Sequence, residues 1–210
     1  MLQFVHAQKF YGEQPVLRIP SLRLDKGVYW LQGINGSGKT TLLRMMAGLI
    51  PFDGDILFDG TSLHHKPLVY RRNLSWAEAE PMYPDFITGQ ELVAFYQDIR
   101  KASFLQIDKL IVLFRIQNYL SMPIGSYSSG TIKKLSLLLA FIGNPPLILL
   151  DEPFATLDAE AAILLPDLIT EYQRDLGVSF IFSSHQPIKP GSLSINKKLV
   201  ISDHSILLAA

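Results

Sequence analysis

The sequence of 210 residues contains no cysteine. Disulfide bonds, thiol nucleophiles and zinc sites built on thiolates are therefore excluded. Charged residues are also scarce, at 18% of the chain, and the 19 basic residues balance the 19 acidic ones. Because a neutral chain has no general attraction for polyanions, we expect no nucleic-acid partner, and any recognition of phosphate has to be local.

Long hydrophobic runs are missing as well. The longest largely apolar run covers residues 135–142 and is interrupted by Ser136, whereas a membrane helix needs about 20 residues. Residues 1–4 lack the basic-then-apolar plan of a secretory signal. With 48% hydrophobic residues, the composition is typical of a compact globule. We therefore expect a soluble, intracellular protein.

One segment near the N-terminus matches the P-loop pattern of a phosphate-binding turn. Its glycines let several backbone N–H groups point at one anion, and the helix that follows contributes its positive end. Lys39 is expected to reach the β- and γ-phosphates, and the Thr40 hydroxyl to join the shell of Mg²⁺. The segment reads Gly33, Ile34, Asn35, Gly36, Ser37, Gly38, Lys39 and Thr40.

Two carboxylates follow a continuous apolar run at residues 147–150, which is typical of a strand buried on both faces of a parallel sheet. Ligands of open α/β sheets bind beyond the carboxyl ends of the strands. We therefore expect Asp151 to hold a Mg²⁺ water and Glu152 to act as a general base. Alone, adjacent acids are common in loops, so this interpretation depends on the P-loop upstream.

Apolar periodicity places these motifs in an α/β fold. We predict a P-loop NTPase core with a mostly parallel sheet, an N-terminal antiparallel β subdomain and an inserted helical subdomain. The single domain is expected to span residues 1–210, with the core in about 1–83 and 144–210 and the helical subdomain in about 84–143. The predicted strands are two within residues 1–25, then 28–32, 147–150, 178–182 and a hairpin over 198–208; predicted helices cover 39–49, 130–142 and 158–175, with a mainly helical stretch over 89–128.

Three further segments stand after the P-loop in a particular order. They are residues 127–131 (Tyr-Ser-Ser-Gly-Thr), residues 151–158 (Asp-Glu-Pro-Phe-Ala-Thr-Leu-Asp) and residues 183–185 (Ser-Ser-His). With this order and spacing, the chain resembles the ATP-binding cassette (ABC) of ABC transporters along essentially its whole length. The resemblance implies a Mg²⁺-dependent ATP hydrolase that works as a dimer beneath a separate integral membrane subunit, peripheral on the cytoplasmic face of the membrane.

The resemblance also implies roles for individual residues. Tyr11 would stack on adenine, Ser128 and Gly130 would contact the γ-phosphate bound by the second subunit, Asp158 would link the two sites, and His185 would touch the γ-phosphate. The implied catalytic residues are Glu152, His185 and Lys39; the implied contacts to ATP are Tyr11, Gly33, Asn35, Gly36, Ser37, Gly38, Lys39, Thr40, Thr41, Ser128, Gly130 and Asp158; the implied contacts to Mg²⁺ are Thr40, Asp151 and Glu78.

Each of these assignments has a plain structural alternative. Without the other motifs, Tyr11 is better read as a core aromatic and His185 as a structural histidine. Ser128 and Asp158 are also good helix N-caps, a role that is compatible with the functional one.

Two departures from the family pattern concern the site itself. The signature segment usually ends Gly-Gly-Gln, and here it reads Ser129-Gly130-Thr131. The loop that usually supplies a glutamine near the metal, residues 75–81, contains none. Either Glu78 or Glu80 takes that place.

After residue 185, where the family has an acidic helix, the prolines within residues 186–191 make a helix unexpected.

The loop at residues 80–88 resembles those of exporters, so we predict export. Three alternatives stay open at this point: a soluble ABC ATPase acting in DNA repair or translation, a binding module with weak hydrolysis, and a P-loop kinase of another family. The transported substrate would be selected by the membrane subunit.

Overall fold

The computed structural model describes residues 1–185 and 193–209, so the segment expected to lack a helix, residues 186–191, lies outside the described residues. The strands are β1 Leu2–Tyr11, β2 Gln14–Leu24, β3 Val28–Gln32, β4 Asp53–Phe58, β5 Thr61–Ser62, β6 Leu74–Ala77, β7 Leu147–Leu150, β8 Ser179–Ser183, β9 Lys197–Ser202 and β10 Ser205–Ala209. The α-helices are α1 Lys39–Met46, α2 Pro67–Arg72, α3 Gly89–Arg100, α4 Phe104–Phe114, α5 Ser129–Phe141 and α6 Ala159–Leu176, with a 3-10 turn at Ile124–Ser126.

Two sheets form the frame of the molecule. The N-terminal sheet is antiparallel, with strand order β2-β1-β4-β5, and the larger one has the order β10-β9-β3-β8-β7-β6. In the larger sheet every neighbouring pair is parallel except β9 with β10. The predicted α/β fold with an N-terminal antiparallel part and a mostly parallel sheet is confirmed.

The larger sheet separates two hydrophobic cores. Successive side chains of a strand point to opposite faces, and along β7 Ile148 and Leu150 belong to one core whereas Leu147 and Leu149 belong to the other. All four are fully buried. The continuous apolar run therefore marks a central strand, and the chain that leaves it at residue 151 emerges between two packed layers.

The helices α3, α4 and α5 follow one another between β6 and β7. Thr88 begins α3 with a capping box, because its side chain accepts from Glu91 N and its backbone N–H donates to the Glu91 carboxylate. At the other end of α3, Arg100 donates to the carbonyl oxygens of Arg72 and Leu74. These bonds fix α3 against the start of β6.

Helix boundaries differ from the prediction at α1. The helix ends at Met46 instead of residue 49, because Gly48 adopts a left-handed φ of 67° that ends the helical hydrogen bonding. Within the described residues, no helix is both long and apolar enough to cross a membrane.

Candidate functional site

The P-loop joins β3 to α1, as predicted, and its glycines are needed for its shape. A Cβ on Gly33 would lie 2.4 Å from Ser37 Oγ and 3.3 Å from the Ile201 carbonyl oxygen, so a side chain there would force Ser37 to move. Gly38 precedes α1 with a φ of 103°, which residues with a side chain rarely adopt. The backbone is thereby held curled at the N-terminus of α1, the arrangement that binds phosphate.

Lys39 is buried and lies against the loop that it follows. Its Nζ donates to the carbonyl oxygens of Gly33 at 2.7 Å and Ile34 at 3.1 Å. Burial lowers the pKa of the Lys39 ammonium, and the negative charges of Glu152 and Asp151 offset part of that effect. The ammonium is held inside the phosphate cradle by acceptors that an anion can replace.

The Asp151 carboxylate is buried and has a partner on each oxygen. Thr40 Oγ1 donates to Asp151 Oδ2 at 2.8 Å, and Ser183 Oγ donates to Asp151 Oδ1 at 2.6 Å. Ser183 Oγ also accepts from Glu152 N at 2.9 Å. Thr40 and Asp151 come from α1 and the end of β7, so the fold brings together the two motifs that the sequence separates by more than a hundred residues.

Glu152 and His185 face each other at the ends of neighbouring strands. His185 Nε2 lies 3.1 Å from Glu152 Oε1, and the His185 backbone N–H donates to Glu152 Oε2 at 3.2 Å. Glu152 itself has a left-handed φ of 44°, a strained conformation of the kind that clusters at functional sites. His185 therefore contacts the carboxylate of Glu152, which the sequence predicts to be a general base.

A cavity of about 380 Å³, here called the P-loop cavity, is lined by residues of the P-loop and α1, by Glu152 and His185, and by residues of the N-terminal sheet. Tyr11 is 54% exposed at its rim, so the alternative reading of Tyr11 as a core aromatic is wrong. The cavity is lined by Tyr11, Val16, Asn35, Gly36, Gly38, Lys39, Thr40, Thr41, Glu152 and His185.

The chemistry of the cavity fits a magnesium nucleotide. Ser37 Oγ is buried and has no hydrogen-bond partner among the described residues, so it offers an unused donor inside the phosphate loop. The oxygens of Thr40 and Asp151 lie together at 2.8 Å. Mg²⁺ is bound in proteins by such hard oxygens, through one or two carboxylates together with substrate phosphates and water.

The signature segment lines a different cavity, of about 440 Å³, which we call the signature cavity. Ser128 caps α5 by accepting from Thr131 N at 3.2 Å, and Asp158 caps α6 by accepting from Ala161 N at 2.9 Å. An ion pair with Lys134, together with that cap, lowers the pKa of Asp158. The capping roles of Ser128 and Asp158 are confirmed, and within one chain these residues do not line the P-loop cavity.

Gly130 explains why the signature segment keeps one glycine. A Cβ on Gly130 would lie 2.9 Å from the carbonyl oxygen of Thr156, which itself has a left-handed φ of 62°. The start of α5 and the turn before α6 therefore touch backbone to backbone. A side chain at position 130 would push these two segments apart.

The two candidate glutamates occupy different surroundings. Glu78 is partly buried: its Oε1 accepts from Trp76 Nε1 at 3.1 Å, and its Oε2 lies 4.0 Å from Arg44. Glu80 is exposed. Glu78 is thus the ordered acid of this loop, and its contact with a metal stays a prediction.

Two residues that contact the candidate site were not singled out from the sequence. Ser183 was read only as part of the Ser-Ser-His segment, although it bridges Asp151 and Glu152. Lys133 was not singled out, although it is fully buried and donates to main-chain carbonyls at the same edge of the sheet. The available signal for Lys133 was its place next to the apolar run at residues 135–142 of the same segment.

Comparison with known proteins agrees with this geometry. The family described as "ABC transporter" matches residues 17–155. The chain belongs to the ABC transporter family. It is an ATP-binding subunit of the ABC type and, as a member of this family, an ATP hydrolase. The resemblance drawn from the motifs is confirmed.

The curated relatives include transport proteins of both directions. The chain is 31% identical over 191 residues to a cytochrome c biogenesis ATP-binding export protein, CcmA, of Legionella pneumophila (strain Lens), covering 90% of this chain and 94% of the relative. It is 27% identical over 210 residues to a spermidine/putrescine import ATP-binding protein, PotA, of Legionella pneumophila subsp. pneumophila, covering 97% of this chain and 57% of that relative.

Solved structures share the whole fold. An ATP-binding subunit of an ABC transporter superposes with a TM-score of 0.87 at 24% identity, covering 98% of this chain and 87% of the other. A dimeric ATP-binding cassette in a post-hydrolysis state, with ADP and Pi, gives a TM-score of 0.83 at 18% identity, covering 98% and 96%. At these identities the likeness establishes the fold.

Proposed function

We propose that the chain powers an exporter-type ABC transporter as a Mg²⁺-dependent homodimeric ATPase. The observation that carries the proposal is the convergence in one cavity of four groups from three parts of the fold: Lys39 and Thr40 from α1, Glu152 after β7 and His185 after β8. Each group supplies a distinct requirement of phosphoryl transfer, namely charge compensation, metal binding, water activation and orientation.

The nucleotide would bind across two subunits. One subunit would contribute the aromatic ring of Tyr11 and the P-loop residues Gly33, Asn35, Gly36, Ser37, Gly38, Lys39, Thr40 and Thr41. The other would contribute Ser128, Gly130 and Asp158. Support comes from the separate positions of the two cavities, since the signature cavity of one chain is free to meet the P-loop cavity of another. The dimeric cassette with ADP and Pi is a precedent of the same fold.

In the hydrolytic step, Glu152 would take a proton from the attacking water, and His185 would keep the Glu152 carboxylate in place through the contacts at 3.1 and 3.2 Å. Lys39 would exchange its carbonyl partners for phosphate oxygens and offset the charge that develops there. Thr40, Asp151 and Glu78 would hold Mg²⁺, which would supply positive charge to offset the charge of the phosphates.

The membrane-facing part is proposed to be the loop at residues 78–88 and the helical subdomain after it, within one domain of residues 1–210. This loop carries two highly exposed apolar side chains, Met82 and Phe86, of the kind that mark interaction sites. The subunit would therefore sit on the cytoplasmic face of the membrane, docked to a separately encoded integral membrane protein. Export is supported by the named export function of CcmA, which the chain covers almost completely.

The experiment that tests this function uses the purified chain with Glu152→Gln. We expect ATP hydrolysis to slow by about 10²-fold or more while an ATP-dependent dimer accumulates in gel filtration, because the nucleotide sandwich would open only after cleavage. A folded variant that binds ATP and stays monomeric would contradict the dimeric site. A soluble role in DNA repair or translation is not favoured, since the relatives named above are transport proteins.

A further inference from the structure

A fully buried lysine on α5 is not accounted for by the nucleotide site. Lys133 has 0% exposure and lies in the second turn of α5, five residues after the N-cap Ser128. Lysine is almost never fully buried unless it is paired. The partners of Lys133 therefore indicate why the fold keeps a charge there.

Lys133 Nζ donates to three main-chain carbonyl oxygens: Glu78 at 2.6 Å, Ala79 at 3.2 Å and Asp151 at 2.8 Å. An ammonium group has three donors, so its hydrogen-bonding capacity is filled. Glu78 and Ala79 follow β6, whereas Asp151 follows β7. One side chain of α5 thus joins the segments that leave two neighbouring strands.

The need for this donor arises where the sheet ends. The strands β6 and β7 are parallel and paired up to Ala77 and Leu150, and one more backbone bond runs from Asp151 N to Ala77 O at 2.9 Å. Beyond that point the segments that follow the two strands separate, and carbonyl groups removed from water still require donors. Lys133 supplies them where the ladder hydrogen bonds stop.

The Lys133 ammonium also lies near the carboxylates of Asp151, Glu152 and Glu78. Burial lowers the pKa of Lys133 to about 8, and the negative charges of Asp151, Glu152 and Glu78 offset part of that effect. A neutral side chain of the same length would leave three carbonyl groups without donors. The lysine is thus matched to this junction in hydrogen bonding.

We propose that Lys133 is a positioning residue that couples the loop at residues 78–79 to the main chain of Asp151 and to the start of α5. This inference rests on the proposed function for its meaning, because that function places the membrane subunit at the loop, the metal at Asp151 and the partner's γ-phosphate at the start of α5. A displacement of any of the three segments is transmitted to the other two through the three hydrogen bonds.

The chain contains a reporter for this coupling. Its two tryptophans are Trp30 and Trp76, and Trp76 Nε1 donates to the Glu78 carboxylate at 3.1 Å. Replacing Trp30 by Phe leaves Trp76 as the single tryptophan. Its emission then reports on the loop that Lys133 holds.

The first test compares Lys133→Met with its parent in the Trp30→Phe background. In the parent, adding Mg²⁺ to the ATP-loaded protein is expected to change Trp76 emission. In Lys133→Met most of that change is expected to disappear, while the ATP affinity measured by calorimetry stays within about threefold. The control is Lys101→Met, because Lys101 is an exposed lysine paired with Asp98. An emission change of full size in a folded Lys133→Met protein, or none in the parent, overturns the coupling.

A second measurement needs no nucleotide, and so separates failure of this inference from failure of the proposed function. Hydrogen exchange of the nucleotide-free protein should become about tenfold faster in Lys133→Met, both in residues 78–82 and in residues 151–153. Acceleration in one segment alone contradicts the tie. If Lys133→Met does not fold, Lys133→Gln, which keeps two amide donors, should show the same two effects at smaller size, and wild-type values in Lys133→Gln would likewise overturn it.

Discussion

The P-loop and the signature cavity differ in how the hydrogen bonds of their polar groups are satisfied. In the P-loop, Ser37 Oγ has no hydrogen-bond partner among the described residues, and the Lys39 ammonium donates to two carbonyl groups of the same loop. In the signature cavity, Ser128 is engaged by Thr131, and Asp158 by Ala161 and Lys134.

This difference indicates that nucleotide binds differently to the P-loop face, which carries the P-loop cavity, and to the signature face, which carries the signature cavity. Groups that are unpaired, or whose present partners a phosphate oxygen can replace, are able to form new hydrogen bonds with a ligand. Groups already satisfied as helix caps gain little until a second subunit brings a phosphate to them. A single subunit should therefore bind nucleotide through its P-loop face, and the signature face should contribute only on dimerisation.

The strongest way to break the comparison is Lys39→Ala. Because Lys39 is the cation held in the cradle by exchangeable partners, its removal should abolish tight ATP binding by the monomer, measured by calorimetry. Thermal unfolding should confirm that the variant is folded, since among residues 1–185 and 193–209 the ammonium donates only to carbonyl groups of its own loop. ATP affinity equal to wild type would show that the cradle is not the site.

Glu152→Gln should separate binding from chemistry on the P-loop face. Loss of a general base slows hydrolysis by about 10²-fold or more, whereas ATP affinity should be retained because Lys39 and the P-loop are unchanged. The rate of phosphate release and the calorimetric affinity are measured on the same preparation. Wild-type turnover would assign the base to another residue.

Ser128→Ala tests the signature face. We expect unchanged ATP binding by the monomer, a loss of about 1 kcal/mol in the free energy of unfolding from the missing N-cap, and an ATP-dependent dimer about tenfold weaker when measured in the Glu152→Gln background. Ser103→Ala, which removes the N-cap of α4, is the matched control and should lower stability without weakening the dimer. Weaker ATP binding by the Ser128→Ala monomer would remove the distinction between the faces.

The smallest expected effect concerns Glu78 and Glu80, in the loop that follows β6. A carboxylate near the γ-phosphate is unfavourable unless a cation intervenes, so Glu78→Gln should reduce the dependence of ATP hydrolysis on Mg²⁺ concentration with little change in ATP affinity. Glu80→Gln should behave as wild type, because Glu80 is exposed. Two wild-type Mg²⁺ curves would leave this loop without a role at the metal.

Local signals were sufficient for the framework. The strand over residues 28–32, the P-loop and the buried strand over 147–150 were predicted with correct boundaries, because glycine spacing and apolar runs are read from neighbouring residues. The end of α1 was misplaced by three residues, since apolar periodicity continues to Leu49 while the left-handed Gly48 ends the helix.

The sequence by itself determined which chemistry the protein carries: a phosphate loop, a pair of carboxylates, a signature segment and a histidine, in the order that identifies the family. Only the tertiary structure decided how these groups are held. It showed the bridge of Ser183 between Asp151 and Glu152, and the three carbonyls gathered by Lys133. The physical reason is that such hydrogen bonds join residues far apart in the chain, and their partners are set by where the strands end and the helices pack.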